Sequence, residues 1–274
     1  VMVHVFGLDA RPLGDWLVVW LLRIFTITLP CLCFLVFFRR VCVAFSSDDD
    51  AADVATIGLG LGTIAFPYGL LFAGHYIQGI LLFTSIVCLA LIRHRNGGKF
   101  AAFCAGICVS LAVLVDYPAG MAAIMISVFV LCAIRPWKLW FAYAGGMLPF
   151  GLLFAQYHQA AFGSPFRTAH YFLESAHNRA SQAGGFLGIE TFRWENLGKS
   201  FLSPDAGMFF MSPWLILGVF GIFSLLSNRK WRAEALIMTL VIAGFAIFVS
   251  SLGAWRTMLG WTIGPRYLCA IVPF

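Results

Sequence analysis

Apolar residues along this chain come in long runs separated by short polar clusters, and the length of each run limits what it can form. A hydrocarbon layer of ~30 Å is spanned by about 20 helical residues. Residues 13–38 make one crossing. Residues 54–92 are too long for one and contain Pro67 and Gly74, which predicts two helices broken near FPYGLLFAGH. Residues 101–134 are likewise double, interrupted only by Asp116, Tyr117 and Pro118. Residues 137–156 cross once, and a polar loop over residues 157–207 follows. Residues 208–226 and 233–252 cross singly, and a last helix opens at Tyr267 and is cut at Phe274. The expected fold is all-α, a polytopic transmembrane bundle of about nine crossings with one long extracytoplasmic loop. No strong internal repeat or low-complexity linker divides residues 1–274, so a single domain is expected. The chain starts at Val1 and stops inside an apolar run, which predicts a piece of a longer protein, truncated at both ends.

Composition agrees with that pattern. Hydrophobic residues make up 61% of the chain and charged residues 11%, with a mean hydropathy of +0.90, more apolar surface than a water-soluble domain can hide. The net charge of +6 would suggest an acidic partner in a soluble protein, but in a membrane protein its placement matters more. Arg39 and Arg40, then Arg93, Arg95 and Lys99, then Arg135 and Lys138, then Arg229, Lys230 and Arg232 fall in short loops that the count puts on one side. That side is expected to be cytoplasmic. The FPY break, the DYP break, the long loop and WTIGPRY then share the opposite, extracytoplasmic side, which places the working surface there. The acidic run SSDDDAAD is expected to be solvated loop.

Several features look chemical and have a plainer reading. GLGLG lacks the strand and soluble βαβ unit of a dinucleotide site, so Gly58 and Gly62, four apart, predict close helix packing. The eight cysteines sit mostly in apolar runs with no CxxC, as small buried hydrophobes. His170, Glu174 and His177 share one helical face but lack HExxH spacing and an evident fourth ligand, so an interfacial polar face is expected and no metal site is assigned. Charges in the long loop balance, and nucleic acid is not indicated.

The remaining candidates are ionisable groups at membrane depth. Arg23, about two turns from Asp15, either snorkels to headgroups or faces an anion cavity. Asp116 beside Pro118 is either the polar end of a short helix or part of a site. His75, Tyr76 and Gln78 follow the FPY break, with Tyr68 inside it. FLSPDAGMFFMSPW repeats Ser-Pro ahead of a crossing. Gly264-Pro265 sets a turn in front of Arg266 and Tyr267, and the amides of a helix starting there would join the guanidinium in an anion site; the plainer reading is a headgroup anchor.

In this order and at these separations, GTIAFPYGLLFAGH, LAVLVDYPAG, AAFGSPFRT, the SP..G.FF.SPW stretch and GW..GPRY..AIVPF resemble bacterial multi-pass glycosyltransferases of the GT-C type. They are most similar to the family-39-like branch, related to protein mannosyltransferases and aminoarabinose transferases, over about Leu13 to Phe274. The resemblance implies transfer of a sugar from a polyprenyl-phosphate carrier to a lipid, glycan or protein acceptor on the extracytoplasmic face of the bacterial inner membrane. It implies carrier-phosphate binding by Arg266 and Arg23, in a cavity lined by Tyr267, His75, Tyr68 and Asp116. The family's catalytic carboxylate lies in a first external loop upstream of Val1, and Asp9 and Asp15 do not inherit its role. Ala206 in SPDAG stands where relatives tend to carry a basic residue. No cofactor is expected; a divalent metal would be compatible but is not indicated. The alternative, from another class, is a transporter or flippase for a lipid-linked anion, which also needs intramembrane arginines and broken helices.

Overall fold

The computed structural model of the chain describes residues 15–167, 172, 188–253 and 263–274. It is all-helical among these residues, apart from an isolated bridge between Ile189 and Leu252. A continuous first helix comprises α1 (Asp15–Arg23), a π-helical turn (Ile24–Thr28) and α2 (Leu29–Ser46). There follow α3 (Asp49–Leu61), α4 (Ala65–Leu70), α5 (His75–Arg95), α6 (Lys99–Val115), α7 (Ala119–Ala133) and α8 (Lys138–Phe162). After them come α9 (Trp194–Leu202), α10 (Met208–Met211), α11 (Leu215–Ser227), α12 (Arg232–Ser250) and a 3-10 helix (Arg266–Ile271).

Four helices among the described residues are long and apolar enough to cross a membrane: Trp16–Ser46, His75–Arg95, Lys138–Phe162 and Arg232–Ser250. Lys99–Val115, Ala119–Ala133 and Leu215–Ser227 are apolar but shorter. The protein is therefore a helical membrane protein, and the described residues hold four full-length spans where the count of apolar runs predicts about nine crossings. Its outer face carries the large apolar side chains that a bilayer would cover, among them Phe141, Leu217, Phe220 and Phe223. α11 has no buried residue at all.

Both predicted breaks are present, and they touch. The FPY segment folds into the short α4, after which Leu71 turns extended and α5 restarts behind Gly74. The second break comes at Asp116, whose extended backbone ends α6, and Pro118 then starts α7 with a φ of −56°. A Cβ on Gly74 would lie 2.6 Å from a methyl of Val115, so the missing side chain lets the two interruptions pack directly on each other. This is what brings His75 to Asp116.

Glycine sets the tightest helix crossing as well. A Cβ on Gly106 of α6 would lie 2.0 Å from the carbonyl oxygen of Tyr143 in α8, and one on Gly146 would lie 2.1 Å from that of Phe103. The two backbones are therefore in contact, as small residues allow in membrane bundles. Gly146→Ala is expected to destabilise the protein by about 1–3 kcal/mol, because backbone on both sides must move. Gly145→Ala, whose added methyl meets nothing within 4 Å, is expected to be neutral or to stabilise by up to about 1 kcal/mol. Thermal unfolding of the two variants in detergent checks this contrast between neighbours.

Several expectations are corrected. The acidic run is not a solvated loop: Asp48 caps α3 by accepting from Ala51 N–H at 3.1 Å, Asp49 and Asp50 occupy its first turn, and Asp53 is ion-paired with Arg39 of α2. The hydrogen bond from Arg39 holds the Asp53 carboxyl below its ordinary range. The stretch expected as loop over residues 157–207 begins with the end of α8, which runs to Phe162, and contains α9. The run from Tyr267 is not a membrane helix but the six-residue 3-10 helix, with Leu268, Cys269, Ala270 and Ile271 buried. Its backbone presses on α5 where Gly79 offers no side chain: a Cβ there would stand 2.4 Å from the Ala270 carbonyl oxygen. His170, Glu174 and His177 lie outside the described residues, as does Asp9.

The glycine pair of GLGLG packs against a side chain rather than a helix. The Trp214 indole lies across Gly58 and Gly62, whose added Cβ atoms would come within 3.0 and 2.0 Å of it. Ser212, fully buried just before it, accepts from Ile64 N–H at 2.8 Å and so caps the start of the FPY segment. The second Ser-Pro step thus ties residues 212–214 to the first break.

Candidate functional site

Four remote segments meet at one end of the bundle. His75 opens α5, and the Asp116 carboxylate reaches it from the end of α6, with Oδ2 2.6 Å from Nδ1. Facing an acceptor-only carboxylate, Nδ1 carries the ring proton and donates. Gln78, one turn on and fully buried, donates from Nε2 to the Asp116 carbonyl at 3.5 Å. Tyr267 packs on the other side of the imidazole with ring centroids 4.9 Å apart, and Tyr68 of α4 stands edge-on at 6.3 Å. Arg266 lays its guanidinium over the Tyr267 ring at 5.0 Å, and Nη2 donates to the phenol oxygen at 3.5 Å. Phe248 of α12 closes the group, edge-on to Tyr267 at 5.4 Å.

The turn in front of Arg266 is held by the other motifs of this end. Gly264 adopts a left-handed φ of +67°, which glycine takes without strain. A Cβ built on it would come within 3.7 Å of Ile64 in the FPY segment, 3.7 Å of the Ala206 carbonyl in SPDAG and 3.5 Å of Met211. The FPY, SPDAG, MSPW and GPRY stretches therefore surround one point.

Charge at this site is incompletely compensated. Arg266 Nε is buried without a hydrogen-bond partner, and among the described residues no carboxylate is ion-paired with the guanidinium. The buried Gln78 Oε1 also lacks a partner. Orphaned buried polar atoms are rare in folded proteins, and a half-buried cation with a spare buried donor suits an anionic ligand. Burial pushes the Tyr267 phenol above its ordinary value against the opposing influence of Arg266, so it stays a neutral donor and acceptor.

Arg266, Tyr267, His75, Tyr68 and Asp116 are thus brought together. Arg23 is not: it stands partly buried at the junction of α1 with the π-helical turn, and no hydrogen bond, ion pair or ring contact joins it to the cluster among the described residues. The helix amides expected to reinforce Arg266 are also missing, since six residues of 3-10 helix have neither the length nor the dipole for that role.

Sequence reasoning missed two groups. A pocket of about 410 Å³ adjoins the cluster, lined by Leu114, Val115, Asp116, Tyr117, Tyr157 and His158. His158, only 2% exposed, has Nδ1 2.8 Å from the Phe154 carbonyl and Nε2 3.0 Å from the Tyr117 hydroxyl. The carbonyl fixes the proton on Nδ1, so in the neutral ring Nε2 accepts from Tyr117. His158 falls just past the apolar run of residues 137–156, in the stretch expected as loop, and only the continuation of α8 to Phe162 buries it. At the opposite end, buried Glu234 of α12 accepts at Oε1 from Arg93 and lies 3.0 Å from His94 Nε2, while Oε2 has no partner. The basic loops of that end are therefore more than plain turns. Among the described residues no group of three or more His, Cys, Asp or Glu could hold a metal ion. No family model, no curated protein and no solved structure matches this chain.

Proposed function

We propose that this chain is the membrane part of a glycosyltransferase that moves a sugar from a polyprenyl-phosphate carrier to a lipid, glycan or protein acceptor. The observation that carries the reading is the juxtaposition of Arg266, a half-buried cation whose buried Nε has no hydrogen-bond partner and which no carboxylate pairs among the described residues, with the hydrogen-bonded His75–Asp116 pair. Transfer from a glycosyl phosphate needs a cation where charge develops on the leaving phosphate and a proton acceptor near the incoming hydroxyl. Arg266 suits the first role, since a guanidinium fork matches phosphate oxygens. Tyr68, Tyr267 and His75 would line the cavity between the two. The cluster lies at the end of the bundle away from the basic residues Arg93, Arg95 and Arg232, which supports an extracytoplasmic site in a bacterial inner membrane. The motif resemblance points to the same reaction. Arg23 keeps at most a remote part in it.

A second reading, export or flipping of a lipid-linked anion, is favoured by the buried Arg93–Glu234–His94 cluster. A transporter needs ionisable groups that serve both sides, and this cluster supplies the other end. The two separate in one preparation of the full-length protein in proteoliposomes loaded with a radiolabelled polyprenyl-phosphate hexose. Label passing into a new glycoconjugate is the expected result. Label crossing the bilayer with its carrier bond intact, and no new product, would replace the enzyme with a transporter.

A further inference from the structure

We infer that the pocket beside Asp116 is the acceptor site of this reaction and that the Asp116 carboxylate is its general base. The inference rests on the transferase reading and goes beyond it by naming where the acceptor sits, what class of molecule it is and which atom takes its proton.

Asp116 belongs to two sites at once. Its Oδ2 is held by His75 at 2.6 Å, on the side of Tyr267 and Arg266. The same residue lines the pocket of about 410 Å³ with Leu114, Val115, Tyr117, Tyr157 and His158. Its side chain remains 20% exposed, and among the described residues Oδ1 takes no hydrogen bond. One residue therefore joins the candidate phosphate site through His75 and lines an accessible cavity, with a carboxylate oxygen, Oδ1, left without a hydrogen bond among the described residues. A donor phosphate and an acceptor hydroxyl placed on those two sides would have the base between them.

The other walls define the acceptor. Tyr117, Tyr157 and His158 give an aromatic surface, and Phe154 stacks on His158 with centroids 4.0 Å apart and planes at 28°, which fixes that ring. Volumes of this order hold small molecules or the head of a larger one. Aromatic faces receive the C–H faces of a saturated sugar ring, while Asp116 and the Tyr117 oxygen receive hydroxyl groups. The class is a sugar or polyol, either a soluble glycan or a glycolipid headgroup. Among the described residues no Lys or Arg lines the pocket, so a second anionic substrate finds no permanent counter-charge in its described walls.

In the step, the acceptor hydroxyl oxygen forms a bond to the anomeric carbon of the donor sugar. The bond from that carbon to the phosphate oxygen breaks, and its electron pair leaves with the phosphate, which Arg266 holds. The hydroxyl proton passes to Asp116 Oδ1, giving a neutral acid that returns the proton to water after product leaves. His75 donates to Oδ2 throughout and keeps the carboxylate turned toward the pocket, which makes His75 a positioning residue. The resemblance instead implies a base in a first external loop, so the two assignments are opposed.

The test uses the full-length protein in proteoliposomes with a radiolabelled polyprenyl-phosphate hexose as donor, a soluble disaccharide in one arm and a glycolipid in the other. Donor binding is measured separately with unlabelled polyprenyl phosphate. Asp116→Asn is expected to slow transfer by about 10²–10⁴-fold with donor binding unchanged. Leu114→Trp, which fills the pocket and leaves every polar group in place, is expected to raise the KM for acceptor by about tenfold or more without altering donor binding; this variant also stands if Asp116→Asn fails to fold. Product in the disaccharide arm would identify a soluble glycan and product in the glycolipid arm a headgroup, and either supports the assignment. An Asp116→Asn enzyme that keeps its rate, an unchanged acceptor KM in Leu114→Trp, or donor binding with product in neither arm would overturn it while leaving phosphate binding at Arg266 standing. A wild-type protein that neither binds polyprenyl phosphate nor transfers sugar would overturn the transferase reading itself, and the acceptor site with it.

Discussion

Replacing Arg266 by alanine is expected to cut transfer from a polyprenyl-phosphate sugar by about 10²–10³-fold, the cost of deleting one donor aimed at developing negative charge. The stability of the protein should fall only modestly. Among the described residues Arg266 has no carboxylate to strand, and its Nε is already an unpartnered buried donor. What is lost structurally is the long hydrogen bond from Nη2 to the Tyr267 hydroxyl at 3.5 Å and the packing of the guanidinium on that ring at 5.0 Å, the latter worth about 0.5–2 kcal/mol. Arg266→Lys keeps the charge but loses both the planar fork and the stacked face, and should fall between wild type and alanine. Rate and detergent melting temperature, measured side by side, separate a ligand-binding arginine from a headgroup anchor. An anchor predicts unchanged turnover in both variants, and that result would remove the phosphate assignment.

The features legible in the sequence were those set by local covalent rules. Pro67, Gly74 and Pro118 mark the segments in which the helices break, so both breaks fall where the local sequence puts them, while Pro149 is carried inside α8 without ending it. The ordering of basic loops against aromatic motifs also survives, since His75, Asp116 and Tyr267 gather at one end and Arg93, His94 and Glu234 at the other. Length-based counting fared worse. The four apolar residues Leu268, Cys269, Ala270 and Ile271 buried under α5 have the same composition as the start of a membrane helix, and the close approach at Gly79 distinguishes them. α6, α7 and α11 fall short of a full span, a difference hidden when neighbouring runs are merged across a turn. The acidic run carried a capping signal at Asp48 that its bulk charge obscured. Contacts across long separations were beyond reach: Tyr117 meets His158 at a distance of 41 residues and Arg93 meets Glu234 at 141. No periodicity encodes such pairs. The cluster at Arg266 was anticipated because its residues each stood at a break, which is the one place where position in the fold and local sequence coincide.

At the opposite end, removing one member of the Arg93–Glu234 pair is expected to destabilise the protein by about 3–5 kcal/mol, and removing both by far less. Glu234 is only 5% exposed at its side chain, and its Oε1 serves both Arg93 and His94 while Oε2 has no partner. With Arg93→Leu the carboxylate keeps a single imidazole neighbour, and an almost uncompensated charge must stay buried or the helix ends must part. Arg93 is 25% exposed and stacked over Phe129 at 5.8 Å, so Glu234→Leu leaves a cation that can turn toward water and should cost less than the reverse. The double variant Arg93→Leu with Glu234→Leu replaces an ionic contact by an apolar one between α5 and α12 and should recover most of the loss. Thermal unfolding of the four proteins in detergent closes the double-mutant cycle. The same proteins discriminate the two functional readings. A transferase working at the Arg266 end needs only that α5 and α12 stay in register, so the stable double variant should retain transfer. A transporter that opens toward both sides needs the charges themselves, and in that case the double variant would be stable and carry no flux.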